Sequence, residues 1–494
     1  MALNKDESHI ANGGELTAPS EIQSAAAGVG INHWAIPPIN KLPSEILTRI
    51  MWIVVSYAPC GRPRRADRRE AQSPVLCYPD VLSHVCSQWR QVAIQSRGLW
   101  SHIDIPAWNN PGSRAREFLS RAGQLPLSLH LIDNFFRRED QRADSVPLLT
   151  TIMPRLKSLD LISHSDNLLR TRLSALSFCL STCVAGNLTE LAIRICNRYT
   201  PIPPLFLSAH STSDKVATWV NFGPNWADID LLEDLLEDVL KSITVLRLDQ
   251  VYPQWTSSAY CGLVELRLLG GRSVTASIFE TQLVNVLRSS PGLRILHFEL
   301  EIVSAASLGT QVIDPICLRD LEVLNLDWVQ MDEIEIFFRW LAPAPKLSQF
   351  SFRPFNRLND NPAAVTFLAD SNITMVHTNQ LSLPGIVSLV STCRQTRVLA
   401  IEDTTLTKEG EVLPFHFNTL YLIESKFDVE CLRRFIQSSS VQKLIVHRCV
   451  AYQNNSKLRP DQVPSMLLDV CSNVLILPDH DSNPIEDWEV FWHL

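Results

Sequence analysis

IFETQLVNVLRSSPGLRILHF, Ile278 to Phe298, holds both patterns on which the fold turns. IFETQLVNVLRSS reads as a helix and Ser289-Ser290-Pro291 supplies turn formers. LRILHF then follows as a short apolar run of the form Leu-x-x-Leu-x-Leu. One helix, one turn and one strand cannot hide their apolar face alone, so such a unit is stable only when neighbouring copies stack on it.

The copies are present. The strand phrase recurs as LKSLDL (Leu156 to Leu161), LTELAI (Leu188 to Ile193), ITVLRL (Ile243 to Leu248) and LVELRL (Leu263 to Leu268). Beyond LRILHF come LEVLNL (Leu321 to Leu326), LSQFSF (Leu347 to Phe352), TRVLAI (Thr396 to Ile401), FNTLYL (Phe417 to Leu422), VQKLIV (Val441 to Val446) and CSNVLI (Cys471 to Ile476). Most neighbours stand about 20 to 30 residues apart, the period of leucine-rich repeats. Helical segments again precede the strand at MDEIEIFFRWL before LSQFSF and at DVECLRRFIQSSS before VQKLIV. The fold class is therefore expected to be α/β: an irregular leucine-rich-repeat-like solenoid over residues 107–494, behind a small helical unit. It is irregular because the phrase lacks the Asn that regular repeats place after it. The wider gaps, Ile193 to Ile243 and Phe352 to Thr396, are expected to hold a degenerate repeat or an insertion. LPLSLHLI (Leu125 to Ile132) is expected to be the first strand of the array.

Bulk properties narrow the class. The chain has 494 residues, 46% hydrophobic, with 30 Pro and 17 Gly, a globular composition with many punctuated connections. A net charge of −8 gives no electrostatic reason for a nucleic-acid partner. The 12 Cys are scattered without a Cys-x-x-Cys pair and read as reduced thiols of an intracellular protein. No apolar run is long enough for a membrane span, and the first residues lack a secretory signal's apolar core. Residues 1–36, rich in Ala, Gly, Ser and Glu, read as a flexible leader.

The N-terminal unit, residues 37–106, opens with INKLPSEILTRIMWIVV (Ile39 to Val55). Pro43 suits a helix start, and Ile46, Leu47, Ile50, Met51 and Val54 share one face. Leu42, Trp52, Ile53 and Val55 point elsewhere. A helix apolar on several sides must be covered on several sides. An arginine-rich loop with Arg62, Arg64, Arg65, Arg68 and Arg69 follows, near residues 57–79. In YPDVLSHVCSQWRQVAIQS, Asp80 is expected to cap a second helix carrying Leu82, Val85, Cys86, Trp89, Val92 and Ala93 at helical spacing. Gly98-Leu99-Trp100 ends it, and SHIDI (Ser101 to Ile105) alternates like a short strand. So small a unit buries little by itself.

Motifs for chemistry are missing. The chain has no Gly-x-Ser-x-Gly, no Gly-x-x-x-x-Gly-Lys, no strand-borne Gly-x-Gly-x-x-Gly and no His-Glu-x-x-His. Cys179 and Cys183 are four apart but have no matching second pair for zinc. The acidic segment ADIDLLEDLLEDVL (Ala227 to Leu240) places Leu231, Leu232, Leu235, Leu236 and Val239 on one side, as a solvated repeat helix requires. The reading is no enzyme, no catalytic residue, no cofactor and no metal site.

LPSEILTRI (Leu42 to Ile50), LSHVCSQWRQVA (Leu82 to Ala93) and LWSHIDI (Leu99 to Ile105) together resemble the F-box, especially that of fungal F-box proteins. FLSRAGQLPLSLHLI (Phe118 to Ile132) looks like the phrase that often follows it there. The resemblance covers about residues 37 to 132, and the long arginine-rich insertion departs from the usual motif. It implies docking on a Skp-family adaptor and, through it, a cullin ubiquitin ligase. Leu42, Pro43, Ile46, Leu47, Ile50, Leu82, Val85, Cys86, Trp89, Leu99 and Trp100 are the matching positions. Leu42 and Pro43 with Val85, Cys86 and Trp89 are expected to hold the adaptor, and Leu47 and Trp100 to hold the unit together. The implied function is substrate recognition for an SCF-type ligase in the cytoplasm or nucleus, the repeats binding a protein target. The alternative is a Skp-binding scaffold without a degradation target. Neither version calls for nucleic acid or membrane.

Overall fold

The computed structural model describes residues 38–57, 78–106, 112–132, 139–163, 169–195, 204–209, 225–270, 276–304, 314–326, 329–353, 361–406, 415–454, 456–479, 481, 483–485 and 488. The leader and the arginine cluster lie outside them. The chain is α/β, with 13 α-helices among the described residues and one sheet of 14 strands. Strand order in that sheet follows chain order without exception, and every neighbouring pair is parallel. Parallel neighbours need a crossover, and helices such as Glu280–Arg288, Met331–Trp340 and Val429–Ser439 supply it.

Each leucine phrase quoted above is a strand of this sheet. The phrase selects the face as well as the position. In LRILHF, Leu293, Leu296 and Phe298 are fully buried on the helix side, where Phe298 meets Phe337 of the next helix with ring centroids 5.5 Å apart. His297, between the last two, points to the other face. The two wide gaps resolve differently. The second holds the helix Pro362–Asp370 and the strand Met375–Asn379, which takes its place in the sheet. The first is an excursion, with Leu205–Ala209 and Asn225–Ile229 forming a separate small sheet with Val251–Tyr252.

The turn out of the strand is also repeated. Gln250, Gln380, Asp403, Glu424 and Arg448 directly follow strands and are left-handed, with φ between 46° and 66°. The backbone N–H of Gln380 donates to Glu402 O, that of Asp403 to Ile423 O and that of Glu424 to His447 O, at 2.9, 3.0 and 2.9 Å. These three bonds to the end of the next strand offset the steric cost of the left-handed region there.

The N-terminal unit differs from expectation in three ways. First, β1 (His102–Pro106) precedes β2 (Leu127–Ile132) in the sheet, so LPLSLHLI is the second strand and SHIDI provides the first. Second, the helix expected after Asp80 starts at Tyr78, so Asp80 lies in its first turn and pairs there with Arg114 at 2.7 Å. Third, it breaks into α2 (Tyr78–Ser83) and α3 (Ser87–Gln95), following α1 (Ser44–Tyr57). Cys86 is extended at the break, and its Sγ accepts the Trp89 N–H at 3.5 Å. That local cap competes with a continuous helix.

Trp100 joins this unit to the sheet. Its indole Nε1–H donates to Ala93 O at 2.7 Å, its ring meets Phe118 edge-on at 5.0 Å, and the Arg121 guanidinium lies over it at 4.2 Å. Phe118 and Arg121 belong to α4 (Gly112–Ala122), the crossover from β1 to β2. One hydrophobic core consequently runs from Leu47 to Cys471. At the other end the C-terminal segment returns across the face opposite the helices. Ile485 is buried against Ala400 and Ile423, Trp488 meets Tyr421 edge-on at 5.7 Å, and Arg448 Nε donates to Asp479 O at 2.9 Å.

Candidate functional site

Two surfaces concentrate unusual chemistry. On α1, Leu47 and Met51 are fully buried and Val54 and Val55 half-buried, which is the inner stripe. Ile46, Ile50 and Ile53 stand at i, i+4 and i+7 on the adjoining face. Ile46 is 48% exposed and Ile53 44%, with Ile50 half-buried. Pro43 is exposed just ahead of the helix, its carbonyl accepting the Leu47 N–H at 3.1 Å. Trp52 lies over Gly98, where an added Cβ would clash with the indole unless the ring shifted.

The positions matched to the F-box divide by burial. Leu47, Leu82, Trp89, Leu99 and Trp100 are sealed in the core. Pro43, Ile46 and Val85 are open, and Leu42, Ile50 and Cys86 are half-buried. Val85 is 57% exposed because it sits in the break between α2 and α3. Trp89, expected to hold a partner, is a core residue: the break rotates Val85 outward while leaving Leu82 and Trp89 facing inward. Ile39, Ile53 and Ile94 are exposed apolar residues that the motif positions did not include.

The second surface is the sheet face away from the helices. Pairing aligns the residue between the last two leucines of each phrase into a single row. It begins with Asp104, His130 and Asp160 and continues through Arg247, Arg267 and His297. Asn325, Ser351 and His377 extend it. Most of these polar groups are buried, and several bond to side chains on adjacent strands. Arg194 Nη2, 1% exposed, donates to Asp160 Oδ2 at 2.6 Å. Glu265 sits between two guanidiniums, bonded to Arg267 and to Arg247 Nε at 2.6 Å. Burial pushes the Glu265 carboxyl up, but its bonds to Arg247 and the charges of both arginines outweigh that and hold it below its usual range. Asp249, opposite Arg194 in register, shows the reverse balance. Burial pushes its carboxyl up to about 7 against the opposing charge of Arg194.

Two constellations in this face have the makings of chemistry. Ser351 Oγ lies 2.7 Å from His377 Nδ1, and His377 Nε2 lies 3.1 Å from Glu402 Oε2. A hydroxyl, an imidazole and a carboxylate in series suggest a nucleophile relay. Ser351 is wholly buried in mid-strand, however, so no substrate carbonyl reaches its Oγ, and the series acts as a cross-strand brace. The other group is His102, Asp104 and His130, whose ligand atoms all lie within 4.8 Å of one another. Cys179 and Cys183 offer less: burial pushes their thiols up to about 12 and about 11, leaving little thiolate to bind metal. The acidic segment also departs from expectation. Its helix begins at Glu233, with Leu236 and Val239 inside but Leu232 and Leu235 outside.

The histidine group was missed because sequence shows spacing along a strand but not register between strands. The alternation of SHIDI puts His102 and Asp104 on one side, and only the pairing of Asp104 with His130 completes the set. No protein-family model matches the chain, and no curated protein matches it. No helix among the described residues is long and apolar enough to cross a membrane.

Proposed function

We propose that this chain is the substrate-recognition adaptor of an SCF-type cullin ubiquitin ligase, acting in the cytoplasm or nucleus. In this reading α1 to α3 with β1 form an F-box that binds a Skp-family adaptor, and the long sheet with its crossover helices is an irregular leucine-rich-repeat-like solenoid that holds a protein target. The observation that carries it is the exposure of Pro43, Ile46, Ile53 and Val85 on one small unit whose interior is already filled. Surface helices normally turn such residues inward, and exposed apolar groups gathered on one small unit favour a protein partner. The contact set narrows to Leu42, Pro43, Ile46, Ile50, Val85 and Cys86, with Ile53 added. Leu47, Leu82, Trp89, Leu99 and Trp100 support them from within.

The protein then needs no active site of its own. Holding a target near a charged conjugating enzyme makes a bimolecular transfer effectively unimolecular. A Skp-binding scaffold is the second reading. It is favoured by the sheet face, where many polar groups already bond to one another and the C-terminal segment covers the strands Val398–Glu402 and Thr419–Ile423.

Binding of a purified Skp adaptor to the full chain tests the first step. Ile46→Glu combined with Val85→Glu is expected to weaken it by about 30-fold or more, as loss of a hot spot does, with the thermal midpoint unchanged. Undiminished binding would remove the proposal. Adaptor binding without any protein that accumulates when residues 38–106 are deleted would favour the scaffold.

A further inference from the structure

We propose that His102, Asp104 and His130 bind one zinc-type divalent transition-metal ion where the N-terminal unit joins the sheet. His102 and Asp104 alternate along β1 and share its face away from the crossover helices, and Asp104 lies directly opposite His130 on β2. Asp104 Oδ1 is 3.4 Å from His102 Nε2 and 3.6 Å from His130 Nδ1. A tetrahedral ion with bonds of about 2.0 to 2.1 Å separates its donor atoms by about 3.3 Å. Two edges of the triangle therefore stand close to a coordination polyhedron. The third closes by a turn of the His102 ring, which packs edge-on against the His130 ring with centroids 4.1 Å apart. The His102 side chain is the most exposed of the three at 32%, against 13% for Asp104 and 9% for His130.

The surroundings match what metal-bound histidines require. With His130 Nδ1 turned to the ion, its Nε2 faces Asp160 Oδ2 at 4.0 Å, and Asp160 is fixed by Arg194 at 2.6 Å. A carboxylate hydrogen-bonded to the second ring nitrogen would set the tautomer and orient the ring, and a shift of about 1 Å brings Asp160 within that reach. Two imidazoles and one carboxylate suit zinc and its neighbours in the first transition row. Calcium and magnesium prefer all-oxygen shells. Three protein donors leave a fourth position, and the exposed side of His102 opens it to water.

The test uses the untagged full chain, stripped with a chelator and titrated with Zn²⁺ against a chromophoric competitor, then with Co²⁺. One equivalent should bind, and cobalt should show the visible absorption of a tetrahedral site. His102→Ala, at the most exposed donor, should lower affinity by about 100-fold with the circular dichroism spectrum unchanged, and Asp160→Asn, which also removes the buried partner of Arg194, by about 10- to 100-fold. Absence of saturable binding overturns the proposal, as does equal binding by the His102→Ala chain. If His130→Ala fails to fold, His102→Ala and the cobalt spectrum still decide.

Discussion

The outward face of the N-terminal helices and the open face of the sheet invert the usual arrangement in opposite senses. The first puts Ile46, Ile53 and Val85 where water reaches them, and the second encloses Arg194, Arg267 and His377 where it does not. Exposed apolar and buried polar groups are the informative exceptions in a protein surface. They differ in where the compensation comes from. The sheet's charged groups find partners on adjacent strands because parallel register repeats the same position every strand. The helices' side chains have exhausted their own interior, since Leu47, Leu82 and Trp100 already fill it. Across the sheet face charged groups such as Arg194 and Glu265 pair with residues of adjacent strands, whereas Ile46, Ile53 and Val85 stand exposed on the N-terminal unit.

That contrast can be broken at its joint. Trp100→Ala removes the ring shared by both regions and should lower stability by about 3–5 kcal/mol, measured by denaturant unfolding. A loss under about 1 kcal/mol, or a separate early transition for the N-terminal helices, would show that the regions do not share one core. A smaller effect sharpens the electrostatic half. Asp249 keeps its proton up to about 7 in the folded chain, against 3.8 ordinarily, so the unfolded chain releases it first as pH rises. Its contribution is whole below about pH 4 and is lost through pH 7. The thermal midpoint should therefore fall more between pH 5 and 8 in the natural chain than in Asp249→Asn, and parallel curves would refute the assignment. Least of all, Ser351→Ala should cost about 1 kcal/mol, the net worth of one hydrogen bond. A much larger loss would mean that the His377 brace holds the sheet face together.

Much of this architecture was readable in advance. Leu-x-x-Leu-x-Leu fixes a strand, its buried side and the polar position between, and that was enough to place the strands at Leu156, Leu321 and Val441. The break at Val85 was not readable, because Leu82, Val85, Cys86 and Trp89 keep helical spacing straight through it and only the extended Cys86 reveals the interruption. Nor was the strand Met375–Asn379, whose MVHTN lacks the leucines of its neighbours and is held by pairing on both sides. For the candidate sites, the apolar excess of α1 showed in composition alone. The His102 group and the Ser351 series needed register, a relation between distant segments that no local pattern encodes.

Strand order that follows chain order carries a consequence for synthesis. Each strand leaving the ribosome meets a ready template in the one made just before it, so the sheet can lengthen like a zipper, without waiting for distant partners. The exception is the last segment, since Ile485 and Trp488 must travel back to strands laid down long before them. Strand order thus permits sequential elongation, whereas the contacts of Ile485 and Trp488 form only after those residues are made.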